Sequence, residues 1–350
     1  MLMIVILHVL KHGGVLDSTE TFSVEYRTAW FIEICAYCAV NCYALISGYV
    51  GLYSRHKYSS LIVLWLRVVF YSAGIAIIFR VLHLSNANIK GILLTFFPML
   101  RMQYWYFTAY FLLFLFIPIL NSAILNISKY QLRIAIMAIL FFTSIIFPIA
   151  NTFLIGDIWN LGGGYTPIWL IILYIIGGYI RKYGLFRNKK AICFLVSCFI
   201  SVLFTWGFQW IMQIVTKRFL GEVRYDGMWI SYISISVLIS AVSLLLLFER
   251  IHFTAWAIKI ISIISPLTFG VYLVHEHTLI REHFIKDRFV WITNYSAPIQ
   301  VVLIFSVAVA IFIICIAIDY VRELLFKGLR VKNLVTRAEN LIKNKLHPSS

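Results

Sequence analysis

Long apolar runs separated by short polar loops dominate this sequence. A helix needs about 20 apolar residues to cross the hydrocarbon core of a bilayer. Runs of roughly this length lie at residues 29–52, 60–82, 104–125, 132–154, 167–180, 191–215, 228–248, 256–280 and 298–326, of which 167–180 is short and 256–280 is interrupted at Pro266. The pattern predicts an all-α fold, a polytopic transmembrane helical bundle with nine such spans.

The first ten residues form a further apolar segment. At a rise of about 1.5 Å per residue they reach across only about half of a bilayer. They lack the basic flank of a signal peptide. We therefore expect the last part of a tenth span, whose first turns would precede Met1.

The composition supports this assignment, because 62% of the residues are hydrophobic, 13% are charged and the mean hydropathy is +0.91. Soluble domains carry about 25% charged residues, so an ordinary soluble enzyme is excluded. No polar block is long enough to fold alone. We predict a single transmembrane domain over residues 1–326 and a basic cytoplasmic tail over 327–350.

The formal net charge of +16 raises the question of nucleic acid binding. No nucleic-acid partner is expected, since the basic residues lie mostly in the loops and near the C-terminus, where they can meet anionic lipid headgroups. When lysines and arginines are counted in alternate loops, 18 fall on one side and 10 on the other. The more basic side is expected to be cytoplasmic, which places both termini in the cytoplasm.

His8 and Arg67 lie within apolar runs, where polar side chains are costly and often functional. Arg67 is seven residues into its run, so it either serves a function or extends its guanidinium to the interface. An imidazole can exchange a proton near neutral pH. His8 with a downstream carboxylate would form a base and its orienting group, and the sequence leaves that carboxylate open among Asp17, Glu20, Glu25 and Glu33.

Two further segments hold candidate binding residues. Residues 264–284 include His275 and Glu276 at the end of a predicted helix, which favours a polar cavity. No metal site is expected there, because Leu279 stands where the H-E-x-x-H zinc motif requires its second histidine. The segment 103–110, with Tyr104 and Trp105, suits either an interfacial aromatic belt or the stacking of sugar rings.

Five motifs occur in an order found in one family of membrane enzymes. They are IVILHV with His8, ISGYVGL at 46–52, YWYFTAYFLLFLFIPILN at 104–121, GGGYTPIWLIILYIIGGYIRKY at 162–183 and LTFGVYLVHE at 267–276. Together they resemble the integral-membrane acyltransferase family, type 3, in particular its bacterial cell-surface polysaccharide O-acetyltransferases. The resemblance covers nearly the whole chain. It implies about ten spans with both termini cytoplasmic, as hydropathy and charge also indicate.

The resemblance implies an enzyme of the bacterial plasma membrane. Such an enzyme would transfer an acetyl or other acyl group from cytosolic acetyl-CoA, a co-substrate rather than a bound cofactor, to a hydroxyl of a cell-surface polysaccharide or exopolysaccharide. His8 resembles the catalytic histidine of the family. Arg67 resembles one member of an arginine pair associated with the donor, and an arginine that the family carries about three turns before the histidine would precede Met1.

From these roles we expect Arg67, Arg55 and Arg181 to attract the donor phosphates. We expect Tyr104, Trp105 and His275 to contact the acceptor, with Glu276 in the same cavity. The expected partners are acetyl-CoA, a glycan acceptor and the lipid bilayer.

Two other functions fit the same composition. The chain could export a polysaccharide or lipid-linked glycan without acyl transfer, or it could be an inactive scaffold. Transporters often contain inverted repeats with broken helices at corresponding places. The sequence shows no such repeat, which favours the enzyme.

Overall fold

The computed structural model describes residues 1–85, 88–153, 156–157 and 159–346, and this part of the chain is helical with no β-strand. The main helices are α1 Leu2–Leu10, α2 Val24–Tyr37, α3 Ala39–Gly51, α4 Tyr58–Val81, α5 Trp105–Asn126, α6 Lys129–Phe153 with a π-helical segment at Phe141–Ile146, α7 Pro167–Tyr183, α8 Ala191–Leu220, α9 Ile235–Arg250, α10 Ala255–Ile264, α11 Thr268–His275, α12 Ala297–Gly328 and α13 Val331–Leu346. The predicted all-α helical bundle is confirmed.

Within the described residues, seven helical segments are long and apolar enough to cross a membrane. They are α2 with α3, α4, α5, α6, α8, α10 with α11, and α12. The predicted spans at 167–180 and 228–248 correspond to α7 and α9, which have 17 and 16 residues. Helix α9 starts later than expected because residues 228–234 form turns, and position 154, the predicted end of the fourth span, lies outside the described residues.

The outer surface of the bundle is apolar. In α12 only 17% of the most hydropathic window is buried inside the protein, and side chains such as Val302, Ile313 and Ile314 are exposed. A soluble protein rarely exposes apolar patches larger than a few hundred square ångströms. These faces are the ones that hydrocarbon would cover, so the chain is a membrane protein.

Helix α7 lies at the centre of the bundle and packs closely on α3. A Cβ atom at Gly177 would collide with the Leu45 carbonyl, and one at Gly48 would collide with the backbone of Tyr174. Small residues at helix crossings allow such close approach in membranes. Gly177 and Gly48 therefore let α7 and α3 pack backbone against backbone.

Helix α1 carries His8 in its last turn. Six of its nine residues are buried, although the helix is short. Its C-terminal end is fixed by two backbone hydrogen bonds, in which Asp287 and Phe289 donate to the carbonyls of His12 and Gly13 at 2.9 and 3.0 Å. Gly14 follows with φ of 82°, a conformation that favours glycine. The loop between α11 and α12 therefore holds the end of α1.

The predicted tail begins with the end of α12 and continues as α13. The Glu339 carboxylate accepts a hydrogen bond from the Ser59 amide at 3.2 Å, which fixes α13 to the start of α4. Arg322, one of the basic residues expected to meet lipid headgroups, is instead 1% exposed. Positions 347–350 lie outside the described residues, and the division of the chain at 326 stays a prediction.

Candidate active site

His8 and His275, which are 267 residues apart in the sequence, are directly hydrogen-bonded. The distance between His8 Nδ1 and His275 Nε2 is 2.8 Å. His8 projects from the last turn of α1 and His275 is the last residue of α11. The structure therefore brings the first and the last motif of the sequence together.

The hydrogen bonds define which nitrogens carry protons. His275 Nδ1 lies 2.5 Å from the carbonyl oxygen of Val271. A carbonyl can only accept, so this nitrogen carries the proton, and Nε2 of a neutral His275 is an acceptor. His8 must then donate from Nδ1, which leaves an unprotonated Nε2 on His8.

Glu276 supplies the carboxylate next to His8. Its Oε2 lies 3.2 Å from His8 Nδ1 and 3.7 Å from His12 Nε2, and its Oε1 accepts a hydrogen bond of 2.6 Å from Arg281. The Oε2 atom is buried and lacks hydrogen-bond geometry to any described group. Its effect on His8 is therefore electrostatic.

None of the four carboxylates proposed from the sequence lies within ion-pair distance of His8 in the described chain. Asp17 binds Lys11 at 2.9 Å, and Glu25 accepts a hydrogen bond from the Ala297 amide at 3.2 Å. Glu20 is exposed, and Glu33 is buried and lines the same cavity as His8 without an ion pair to it. The partner of His8 is Glu276, which the sequence assigned only to a cavity.

His12 lies in the loop after α1, next to the His8 ring and the Glu276 carboxylate. Its ring centroid is 4.8 Å from that of His8. Burial lowers the pKa of His12, and the nearby Glu276 carboxylate opposes that shift. Burial therefore favours the neutral form of His12, whereas the Glu276 carboxylate favours the charged form.

A cavity of about 510 Å³ opens beside His8. This volume is typical of small-molecule sites. The cavity extends from the loop residues Lys11 and Gly227 to Tyr43 and Thr268 within the bundle. Much of its wall is aromatic, with Trp30, Tyr37, Tyr43, Trp105, Tyr106, Tyr165, Tyr232, Phe269 and Tyr272.

The residues expected to contact the acceptor divide into two groups. Trp105 lines the cavity and stacks on Tyr232 with ring centroids 6.0 Å apart. Tyr104 lies behind the wall, where its hydroxyl donates to the Leu273 carbonyl at 3.0 Å. His275 and Glu276 also lie behind the wall, and they contact His8 rather than open space.

Arg67 lies in a second charged group, which we call the arginine network: Arg67, Tyr71, Asp319, Arg322 and Glu323. Arg322 donates twice to the Asp319 carboxylate, at 2.9 and 2.6 Å, and Tyr71 donates to the same carboxylate at 2.7 Å. Glu323 accepts from both Arg322 and Arg67. The two arginines and two carboxylates balance in charge.

Arg55 and Arg181 are exposed near the ends of α3 and α7. The Arg181 guanidinium lies over the Tyr49 ring, 5.1 Å from its centroid. Arg67 lies nine residues into α4, about 13 Å along the axis from its start. The structure thus places Arg55 and Arg181 at one end of the bundle and Arg67 further inside.

The cluster around His8 also contains side-chain atoms that could act as metal ligands. Ligand atoms of His8, His275 and Glu276 lie within 4.8 Å of one another. Two ligands of a tetrahedral zinc ion are separated by about 3.3 Å, whereas the two histidine nitrogens are 2.8 Å apart. The spacing therefore fits a hydrogen bond better than a shared metal ion.

Asp319, Arg322 and Glu323 form a charged group that was not predicted from the sequence. All three lie within the apolar run 298–326, and Asp319 and Arg322 are one helical turn apart. Charged residues with this spacing in a membrane span normally pair. That rule, applied to this run, would have found the network.

The sequence model of one protein family, described as an acyltransferase domain, matches residues 1–319 of this chain. No curated protein matches the chain. No solved structure matches it either.

Proposed function

Because the chain belongs to acyltransferase family 3 and is a membrane acyltransferase, we propose that it transfers an acetyl group from acetyl-CoA to a hydroxyl of a cell-surface or exported polysaccharide. The observation that carries this proposal is the hydrogen-bonded series from Val271 through His275 to His8. It leaves an unprotonated nitrogen on His8, a residue of the cavity wall.

In this reaction His8 Nε2 takes the proton of the acceptor hydroxyl as the oxygen attacks the thioester carbonyl carbon. The tetrahedral intermediate then expels the CoA thiolate, the carbon–sulfur bond breaks, and the proton on His8 passes to the sulfur. His8 thereby returns to its starting state. The Glu276 carboxylate, 3.2 Å from Nδ1, stabilises the imidazolium while it is charged.

His275 has a positioning role in this scheme. The Val271 carbonyl fixes its tautomer, and its Nε2 holds His8 Nδ1 in the donating state. A second tautomer of His8 would place the proton on the nitrogen that must act as the base. This role for His275 replaces direct acceptor contact.

The donor and the acceptor are proposed to approach from different ends of the bundle. Helix α1 ends at the loop that carries Lys11, whereas Arg55 follows the far end of α3 and Arg181 lies in the last turn of α7. Exposed cations there would attract the CoA phosphates, with Arg67 further along the path. This arrangement fits a bacterial plasma-membrane enzyme with both termini in the cytoplasm.

Acceptor binding is proposed in the aromatic cavity. Flat ring faces such as those of Trp105 and Tyr232 offer stacking surfaces to the C–H face of a sugar. The volume of the cavity and its aromatic lining suit a single sugar unit rather than a folded polymer. A polysaccharide would therefore present one sugar unit at a time.

The test uses the purified full-length chain in lipid nanodiscs with acetyl-CoA labelled in its acetyl group. Transfer of label to glycan prepared from cells that lack the gene, dependent on the intact thioester, is the expected result. Absence of transfer would contradict the proposal. If the chain in vesicles then took up the same glycan, the exporter would be the better description.

A further inference from the structure

Four buried polar atoms in the cavity wall form no hydrogen bond to any described group: Trp30 Nε1, the Tyr272 hydroxyl, Glu33 Oε2 and Gln209 Nε2. The last two belong to side chains that the chemistry at His8 does not use. Glu33 is 5% exposed and Gln209 is 2% exposed, and both line the cavity. The Glu33 Oε2 and Gln209 Nε2 atoms are fully buried without a hydrogen bond to any described group. Such atoms are costly unless a ligand or water satisfies them.

Glu33 lies on α2 and Gln209 lies on α8, and hydrogen bonds join these two helices. On α8, Trp206 donates from its indole nitrogen to the Arg27 carbonyl of α2 at 3.0 Å, and Gln213 donates to the Tyr26 hydroxyl at 3.0 Å. Gln209 lies between these two contacts on the same helix face. It therefore faces the helix that carries Glu33, and the contacts on either side hold it in that position.

From these observations we propose that Glu33 and Gln209 form a subsite that binds a pair of hydroxyl groups on the sugar ring of the acceptor. The inference rests on the proposed function for its ligand, but its geometry is independent of His8. The subsite would determine which sugar ring binds in the cavity and in which orientation. His8 would then deprotonate the hydroxyl group that this orientation places next to it.

Glu33 offers a hydrogen-bond acceptor and Gln209 offers a donor. This combination favours a ligand with hydroxyl groups over a ligand with a cationic group. A carboxylate needs donors, and an amide nitrogen needs an acceptor. An ammonium group offers only donors, so it would satisfy Glu33 and leave Gln209 unpaired. Hydroxyl groups both donate and accept, and two of them on neighbouring ring carbons satisfy both side chains.

The aromatic surroundings agree with a neutral ring. Trp30 lies one turn before Glu33 on α2 and also lines the cavity, as does Tyr37 one turn after it. A sugar ring placed between these faces would bury its C–H surface while its hydroxyls reach the two polar groups.

The experiment is a calorimetric titration of the full chain in nanodiscs without acetyl-CoA. The probes are the methyl glycosides of glucose, galactose and mannose, together with methyl 2-amino-2-deoxyglucoside. We expect at least one neutral glycoside to bind. In Glu33→Leu and in Gln209→Leu its affinity should fall about tenfold or more, because a buried polar group of the ligand then lacks its partner.

Thermal unfolding of the same variants separates recognition from a structural role. Neither residue has a hydrogen bond to another described residue that could be lost, so both leucine variants should be as stable as the parent chain or more stable. Gln300→Leu is the matched control. Gln300 is a buried glutamine outside the cavity that donates to the Thr293 and Tyr295 carbonyls, so its loss should destabilise the fold and leave glycoside affinity unchanged.

The outcomes distinguish this proposal from the acyltransferase reaction. Unchanged glycoside affinity in both leucine variants, or no binding of any glycoside by the parent chain, would overturn the subsite even if label transfer from acetyl-CoA succeeded. Tighter binding of the 2-amino glycoside than of every neutral probe would overturn the hydroxyl assignment. Binding that is lost in the variants, without label transfer in the parent, would support the subsite and contradict the transferase.

Discussion

The arginine network and the cavity around His8 both contain buried polar residues within the same membrane domain. They differ in whether these residues have partners. In the network every charge has a partner: Arg322 binds Asp319 and Glu323, and Glu323 also binds Arg67. The Arg67 Nε atom forms no hydrogen bond to a described group, but its guanidinium charge is paired. In the cavity, Glu33 and Gln209 present buried atoms that form no hydrogen bond to any described group. Paired charges indicate a structural role, whereas buried polar side chains that lack hydrogen bonds and border open space indicate a ligand.

The two regions meet on a single short helix. Asp319 packs against Gly270, where no side chain could fit, and His275 follows five residues later on the same helix α11. The separation is about 7.5 Å along the axis. The network therefore fixes the start of the helix whose end holds the partner of His8.

The first prediction has the largest expected effect and concerns the open region. His8→Ala should lower the rate of acetyl transfer by about a thousandfold, because it removes the base. The measurement is labelled acetyl incorporation into glycan at matched protein amounts. His252→Ala, at an exposed histidine, should retain the parent rate, and equal rates in the two variants would remove His8 from the mechanism.

The second prediction concerns the paired region and is about stability. Arg322→Met leaves Asp319 buried without its cation and should cost about 3–5 kcal/mol in the free energy of unfolding. Denaturant unfolding in detergent measures the change. The double variant Arg322→Met with Asp319→Leu should recover much of the loss, and a double variant as unstable as the single one would argue against pairing as the reason for burial.

The third prediction returns to the carboxylate beside His8. Glu276→Gln keeps the shape but removes the charge that stabilises the imidazolium, so kcat should fall about ten- to a hundredfold while the KM for acetyl-CoA changes little. Steady-state kinetics measure both. Glu282→Gln serves as the control, since Glu282 is exposed and binds Lys286 at 3.2 Å, and it should leave kcat unchanged.

The fourth prediction asks whether the network also serves the donor. Arg67→Ala should raise the KM for acetyl-CoA by about three- to tenfold, a modest effect because Glu323 already neutralises part of the Arg67 charge. Arg80→Ala, at an exposed arginine near the other end of α4, provides the comparison. If both variants keep the parent KM, Arg67 belongs to the structural network alone.

The fifth prediction is the absence of an effect. Treatment with a zinc chelator such as 1,10-phenanthroline should leave acetyl transfer unchanged, since the spacing of His8 and His275 fits a direct hydrogen bond. The assay compares chelator with the non-chelating 1,7-isomer. Inhibition by the first compound that added zinc reverses would establish a metal site at this cluster.

Much of the fold followed from hydropathy because lipid imposes a simple length requirement on helices. The boundaries of α4 and α12 agree with the predicted runs within about two residues. Residues 228–234 were expected to be helical because they are apolar, but they form turns at the cavity wall. Hydropathy reports what is buried and cannot distinguish a helix from a loop buried in protein.

The site was harder to predict from sequence. His8 was identified because an isolated imidazole in an apolar turn is conspicuous. Its pairing with Glu276 depends on the packing of α1 against the end of α11, a contact over 268 positions that no local pattern encodes. Glu33 and Gln209 were visible as polar residues in apolar runs. They differ from Gln300, whose amide nitrogen donates to two backbone carbonyls, because they line the cavity and no hydrogen bond joins them to a described group.

The backbone bonds from Asp287 and Phe289 to the end of α1 mean that segments far apart in the sequence assemble one reaction centre. During synthesis, His8 enters the membrane long before His275 and Glu276 have been made. A product that ends before α11 would therefore carry the base without the groups that orient it.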